Sequence, residues 1–460
     1  MKRSLIQPNL INRSMATPIG SGVYVSTGGL ASRYSNDIGW LRPIDWPALT
    51  PIPEGTQKVQ GLYAVFDTTS ERVAFTCAGD YTVDWGDGSA TEVFAAGTKA
   101  EHAYTYSTLA TSVTSRGYKT AIITITPQSG QNLTSVNLAT AYTEATAGTR
   151  STCWLDLELR VPNCTSLTIG DAACRHPLLE QGLIREHSAI NFNSLFRNCF
   201  ALHSVPLFNT AAVTDMSSMF NSCFSLRSVP LFNTAAVTNM SYMFNNCCSL
   251  RSVPVFDTAL VGNMSYMFNA CYSLPEAPAF NTAAVTTMLY MFNACYSLQF
   301  VPLLNTALVT NMSFMFATCY SLQFVPLFNT AAVTNMASMF ATCSSLQIVP
   351  LFNTAAVTNM ASMFATCSAL QLLPALVMAA VTTATLFAAN CNALGRFLGT
   401  GLRYSFSFLN SELSATALNE IFTNLGTAAA GGQTITITGN PGAATCNSSI
   451  AIAKGWTVTG

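Results

Sequence analysis

Apolar and polar positions recur with a single period through the middle of the chain. Cysteines stand at 199, 223, 247, 271, 295, 319, 343, 367 and 391, and prolines at 206, 230, 254, 278, 302, 326, 350 and 374. A leucine follows each of those cysteines by three, from Leu202 to Leu394. Three ladders locked at 24 residues define one supersecondary unit used over and over. Within a unit, Met240, Met243, Phe244 and Cys247 are spaced i, i+3, i+4, i+7, which predicts a short helix with one apolar stripe. Thr238 or Asn239 ahead of it is of N-cap type. Leu226, Val229 and Leu231 follow the L-x-x-V-x-L order of a leucine-rich-repeat strand. Pro230 donates no ladder hydrogen bond and limits that strand to about three residues. Asn233 and Thr234 then turn the chain away. One unit cannot bury its own apolar face, so the units must stack into a solenoid, roughly 45 Å long for nine units at about 4.8 Å each.

The flanks have other patterns. Alternation in Arg72–Cys77, Tyr81–Trp85 and Thr120–Thr126 predicts strands, with a turn at Gly86-Asp87-Gly88. Residues 1–57 lack periodicity and carry Pro43, Pro47, Pro51 and Pro53 with Trp40 and Trp46. They are expected to form an extended arm whose tryptophans dock on a partner. Residues 131–190, with Leu155–Val161 and Leu167–Ile169, are expected to be irregular first repeats that cap the array. Beyond it, Ser414–Leu425 predicts a capped helix, and Gln433–Gly439 and Trp456–Gly460 predict strands in a C-terminal cap over 396–460.

The repeated V-T-x-M-S-x-M-F-x-x-C-x-S-L-x-x-V-P-x-F-N-T resembles the BspA-like leucine-rich repeat family of bacterial and phage surface proteins, here of the phage type. Val237, Met240, Met243, Phe244, Cys247, Leu250, Val253 and Pro254 match it. Asn stands where many members carry Asp before Thr, and only Asp257 keeps the acid; in the last unit Val377 and Ala384 break the motif. Val83-Asp84-Trp85-Gly86-Asp87-Gly88 followed by His102 and Tyr104-Thr105-Tyr106 resembles the polycystic-kidney-disease-type (PKD) Ig-like domain, with Ala103 intervening. These resemblances imply a multidomain chain. Its expected parts are an arm (1–57), an all-β Ig-like sandwich (58–130), cap repeats (131–190), an α/β leucine-rich-repeat solenoid (191–395) and a C-terminal cap (396–460).

Composition narrows the chemistry. Charged residues are 9% of 460, against about 25% in ordinary globular chains, and 20 Lys and Arg against 21 Asp and Glu leave no cationic surplus for a nucleic acid. From Ala277 to Gly395 there is no Asp, Glu, Lys, Arg or His, so general acid–base catalysis has no groups there. No phosphate-binding loop or nucleophile elbow occurs. The reading is non-enzymatic: no catalytic residue, no metal site, no cofactor. Asp84 and Asp87 fit turn chemistry better than a carboxylate pair or calcium ligands, and His102 fits strand packing better than a base. The nine ladder cysteines occupy inward helix slots and are expected to be free buried thiols rather than disulfides or metal ligands; the state of Cys153, Cys164 and Cys174 stays open. The apolar stretch Leu372–Ala389 is long enough for a membrane span, but Pro374, Thr382, Thr383, Thr385 and its repeat register speak against insertion. The opening residues lack the apolar run of a cleaved secretory leader, so export by that route is not expected.

Two sets of variable positions remain as candidate sites. Tyr242, Tyr266, Tyr290 and Phe314 recur at 24, as do Tyr272, Tyr296 and Tyr320, forming an aromatic ladder that suits a sugar or protein ligand or is half-buried between helices. A second row turns from polar to apolar: Ser204, Ser228, Ser252, Glu276, Phe300, Phe324, Ile348, Leu372. Its last four members form a candidate contact face. With Trp40 and Trp46 as particle-docking residues, the expected role is a bacteriophage virion structural protein with an adhesion or host-recognition function, as in a tail or collar fibre or a head decoration. Its partners would be other virion proteins through the arm, a host glycan or protein, and further copies of itself. The alternatives are a bacterial cell-surface adhesin and, more weakly, an intracellular repeat scaffold.

Overall fold

The computed structural model describes residues 41–67, 71–143 and 150–460; Trp40 lies outside them. Twelve strands build the front region: β1 (Lys58–Val65), β2 (Glu71–Ala78), β3 (Tyr81–Asp84), β4 (Glu92–Phe94), β5 (Lys99–Tyr104), β6 (Lys119–Pro127), β7 (Ser135–Asn137), β8 (Arg150–Ser151), β9 (Trp154–Val161), β10 (Ser166–Thr168), β11 (Cys174–Arg175) and β12 (Gln181–His187). A six-stranded sheet runs β12-β9-β1-β6-β3-β4 and a four-stranded sheet β10-β7-β2-β5, while β8 and β11 pair separately. β1 is buried on both faces, which explains its nearly continuous apolar run. Val59, Tyr63 and Val65 point into the main core with Phe75, Trp85 and Trp154. Leu62 and Ala64 point to the opposite face. Gly61 is required between them, because a Cβ there would stand 2.5 Å from the Trp154 ring.

Two boundaries expected from the sequence are corrected. No break falls at residue 130. β9 and β7, both beyond it, pair antiparallel with β1 and β2, completing sheets whose edges would otherwise be bare. From there pairing turns parallel, in β12 on β9 and β10 on β7, and an isolated bridge from Gln181 to Ser204 passes the ladder into the array. The second correction concerns the arm. Residues 41–57 lie on the outer face of the large sheet, where Trp46 and Leu49 cover Leu62, Ala64, Tyr118 and Leu155. Trp46 is 4% exposed and its Nε1 donates to the Tyr118 hydroxyl at 3.1 Å. The Arg42 and Arg116 guanidinium groups lie 5.6 and 5.3 Å from its ring centre. Trp46 is therefore not a docking residue for another molecule; the sheet needed a cover, and the chain supplies its own.

The array is a solenoid, but not of the α/β kind. No α-helix forms in it among the described residues, and the predicted strand is reduced to isolated bridges except at β13 (Leu372–Leu373) and β14 (Arg396–Phe397). Helical periodicity misled because the coil reads inward at the same spacing while its backbone does something else. Tyr242 and Asn246 have φ of 58° and 59°, and the equivalents in other units follow. The N–H groups of Met240, Tyr242, Phe244 and Asn246 donate to the carbonyls of Asn263, Ser265, Met267 and Asn269 in the next coil at 2.8–3.2 Å. Those of Met243, Asn245 and Cys247 close turns within the coil, onto Met240, Tyr242 and Phe244. The donors of this stretch are thus shared out, half within a coil and half between coils. A helix would have turned its bonds along its own axis, leaving only the N–H groups of its first turn free and no regular ladder to the next coil. The strand reading also shifts by one residue: Phe232, at 2% exposed, is the inward residue after Val229, while Leu231 is 61% exposed.

Identical side chains then stack. Phe244, Phe268 and Phe292 lie with centroids 5.6 and 5.4 Å apart and ring planes within 10°. Asn245 Nδ2 donates to Asn221 Oδ1 at 3.0 Å, and Asn269 and Asn293 continue that chain at 2.6 and 2.7 Å. All nine ladder thiols are fully buried and free, as is Cys164, while Cys174 is buried and Cys153 partly exposed. Each of the ladder thiols from Cys223 onward donates to the carbonyl of a Phe in the preceding coil, Cys247 to Phe220 at 3.2 Å. Burial pushes these thiols up, Cys391 to about 12, so they are unreactive at neutral pH. β15 (Phe406–Ser407), α1 (Ala415–Asn424), β16 (Thr434–Thr436), α2 (Ser449–Ile452) and β17 (Thr457–Thr459) close the far end, with Ser414 Oγ capping α1 at the Ala417 N–H. No helix in the described residues is long and apolar enough to cross a membrane.

Candidate recognition surface

The first aromatic row sits on the left-handed position of each coil. Tyr242, Tyr266, Tyr290 and Phe314 have φ of 55–59°, and Ser218, Ser338 and Ser362 occupy the same slot in other units at 53–55°. A bulky residue is unfavourable there, and serine builds the same coil. The aromatic identity is therefore not demanded by the scaffold. Stacking offsets part of the strain: centroids are 4.4, 4.6 and 4.3 Å apart with planes within 9°. Tyr272, Tyr296 and Tyr320 stack likewise at 4.5 and 4.9 Å, and are 36–41% exposed. Phe200 and Phe224, stacked at 4.8 Å, occupy the same row nearer the front and were not singled out by spacing alone, because Cys248 interrupts the run.

The stacking changes what the ladder can bind. Each inner ring spends both faces on its neighbours, so a sugar that lies flat on a ring face finds none along the stack. What remains are ring edges and hydroxyl groups at one per coil, about 4.8 Å apart. Each row is thus a rigid strip of ring edges, phenolic except at Phe314, and its rings are partly buried against one another rather than between helices.

The second row is open. Phe300 and Phe324 are 52% exposed, Ile348 68% and Leu372 43%. A row missed in the sequence adjoins it: Leu303, Leu327 and Leu351 are 57–71% exposed, having been read as inward strand positions. A groove of about 450 Å³ lies at the front end of the open row, where Glu276, Phe300 and Ser252 meet Val255 and Ala279. The groove opens because Ala277 and Ala279 stand where other units carry Val and Leu.

The other sequence candidates resolve locally. Asp84 Oδ1 accepts from the Gly86 N–H at 2.9 Å and Asp87 Oδ1 from the Ser89 N–H at 3.0 Å, so both serve the turn. His102 stacks on Trp85 with centroids 4.8 Å apart and its Nε2 lies 2.8 Å from Asp87 Oδ2. Burial works against the Asp87 carboxylate, but the Ser89 and His102 bonds hold it below its ordinary value. Among the described residues, no three His, Cys, Asp or Glu side chains come together as metal ligands would.

The surface is that of a repeat solenoid of leucine-rich-repeat type. Residues 190–301, 277–375 and 297–395 match a family described as "Mycoplasma protein of unknown function, DUF285". The match covers the array, less than half of the chain, and supports its BspA-like character. No curated protein matches the chain. Among solved structures, the plant peptide hormone receptor RGFR1 in complex with RGF2 is similar at 15% identity, covering 63% of this chain and 46% of the receptor chain, with a TM-score of 0.24. This chain thus spans about half the length of that receptor chain. The leucine-rich repeat protein LIC12759 of Leptospira interrogans is similar at 10% identity, covering 64% and 84% of the two chains, with a TM-score of 0.21. Neither likeness is close enough to carry over a ligand.

Proposed function

We propose that the chain is a non-enzymatic recognition protein of a bacteriophage particle, displaying its solenoid to a host surface. The observation that carries the recognition role is the ring row: aromatics are kept at left-handed positions where serine suffices, in mid-array coils only. Their edges and hydroxyls suit a glycan or protein ligand met edge-on. A body without Asp, Glu, Lys, Arg or His from 277 to 395 suits a part that stays folded across changing pH and salt. With Trp46 occupied by the chain's own sheet, attachment to the particle falls to residues before 41. The PKD-type resemblance of 83–106 fits a spacer between attachment and array. A bacterial cell-surface adhesin is the second reading, favoured by the Mycoplasma proteins that define the matching family.

Mass spectrometry of purified particles and of phage-free host envelopes separates the two. The chain at fixed stoichiometry in particles supports the first reading; its presence only in envelopes supports the second and overturns the first. Joint replacement of Tyr266 and Tyr296 by Ser should cut binding to host cells at least tenfold while leaving the circular-dichroism melt in place. Undiminished binding by that variant removes the ring rows from the role.

A further inference from the structure

The open row continues beyond its apolar members, and its two ends carry opposite charges. Backbone pairing aligns Glu276 with Phe300, Ile348 with Leu372, and Leu372 with Arg396, with Phe324 at the intervening register. The row therefore reads Glu276, Phe300, Phe324, Ile348, Leu372, Arg396 over five steps, about 24 Å at the hydrogen-bonded spacing. Glu276 is exposed, and Arg396 is 57% exposed with its Nε and Nη2 on Glu420 at 2.9 and 2.8 Å. With Leu303, Leu327 and Leu351 beside it, the face offers seven exposed large apolar side chains and no charge between its ends.

We propose that this face pairs with the same face of a second copy of the chain, in antiparallel orientation about a two-fold axis between coils 324 and 348. Three observations converge. Seven half-exposed side chains at roughly 100 Å² each give about 700 Å², near the ~800 Å² per partner of a standard interface and more than a monomer ordinarily leaves open. A stack of coils at one pitch is matched over its whole length only by another stack of that pitch, and a second copy has it by construction. Charge favours one direction, because the Arg396 guanidinium, bonded to Glu420 through one N–H each of Nε and Nη2, keeps further N–H groups for a second carboxylate. Antiparallel packing sets Glu276 of each chain against Arg396 of the other, Phe300 against Leu372 and Phe324 against Ile348, pairing the larger ring with the smaller aliphatic chain. Parallel packing would set Glu276 against Glu276 and Arg396 against Arg396. This inference is independent of where the chain is displayed.

Light scattering behind size exclusion, with the full chain up to about 100 µM, tests it. The expected mass is twice 49.1 kDa. Phe324→Lys and Ile348→Glu, both at exposed positions, should each raise the dissociation constant at least tenfold with an unchanged melt. Both substitutions in one chain set the introduced ammonium of each copy against the introduced carboxylate of the other, and should restore the dimer. Glu276→Arg should weaken it. A monomer at every concentration, a dimer indifferent to the single variants, or a double variant no better than the singles overturns the proposal.

Discussion

The front region and the array solve one problem in opposite ways. Both are stacks of backbone hydrogen bonds around an apolar core, and the ladder runs from one into the other through β12. The front region is held by particular pairs. Arg42 reaches Asp156 at 3.1 Å, Arg185 reaches Glu158 at 2.6 Å, and Arg116 and Arg160 pair with Glu180 and Glu186. Asp156 and Glu158 are 2% and 1% exposed, so these are buried acids that need their partners. Between residues 191 and 395 no ion pair occurs among the described residues. There the same uncharged contact is made again in each coil. Specificity in the front region comes from matched unlike groups; in the array it comes from register, because like stacks on like only when the coils stay 24 residues apart.

The sharpest way to break this contrast is to remove a stacked ring. Phe268→Ala deletes a fully buried side chain wedged between Phe244 and Phe292, and should cost about 3–5 kcal/mol with the loss confined to neighbouring coils. Hydrogen exchange resolved by peptide checks this: faster exchange should centre on 240–295 and leave β1 and β6 protected.

A smaller effect comes from pH, and it should touch only the front. His176 is fully buried, with Nδ1 bonded to the Thr152 hydroxyl. Burial pulls its pKa down from 6.5 to about 4. The folded state resists the proton that the unfolded chain takes up below 6.5. Stability is therefore complete above that value, falls between 6.5 and about 4, and levels off below, a change of roughly 3 kcal/mol. Melts from pH 7 to 4 should show the front transition moving down while that of the array stays. His176→Gln should reduce the shift of the front transition over that window, leaving the part that His187, whose pKa burial also lowers, contributes; a parallel shift of both transitions would erase the contrast.

The smallest change is expected on the surface rows. Tyr266→Ser relieves a strained φ of 59° but loses two ring contacts, so stability should move by less than about 1 kcal/mol. A loss of several kcal/mol in a denaturant titration would mean that the rings belong to the scaffold.

The sequence by itself determined the repeat, its 24-residue period, the inward Met, Phe, Cys and Leu of each coil, the free buried thiols and the capped helix after Ser414. These follow from which side chains must leave water, and periodicity reports that directly. The conformation of the coil was decided only by its neighbours. Left-handed residues at the positions of Tyr242 and Asn246 are locally unfavourable, and they persist because they turn alternate N–H groups toward the next coil. The period of 3.6 and the coil's own period give the same inward positions, so the pattern cannot tell them apart. Tertiary packing likewise placed Trp46 on the chain's own sheet and turned Leu303, Leu327 and Leu351 outward, since burial of a side chain depends on what stands opposite it and not on its apolarity alone.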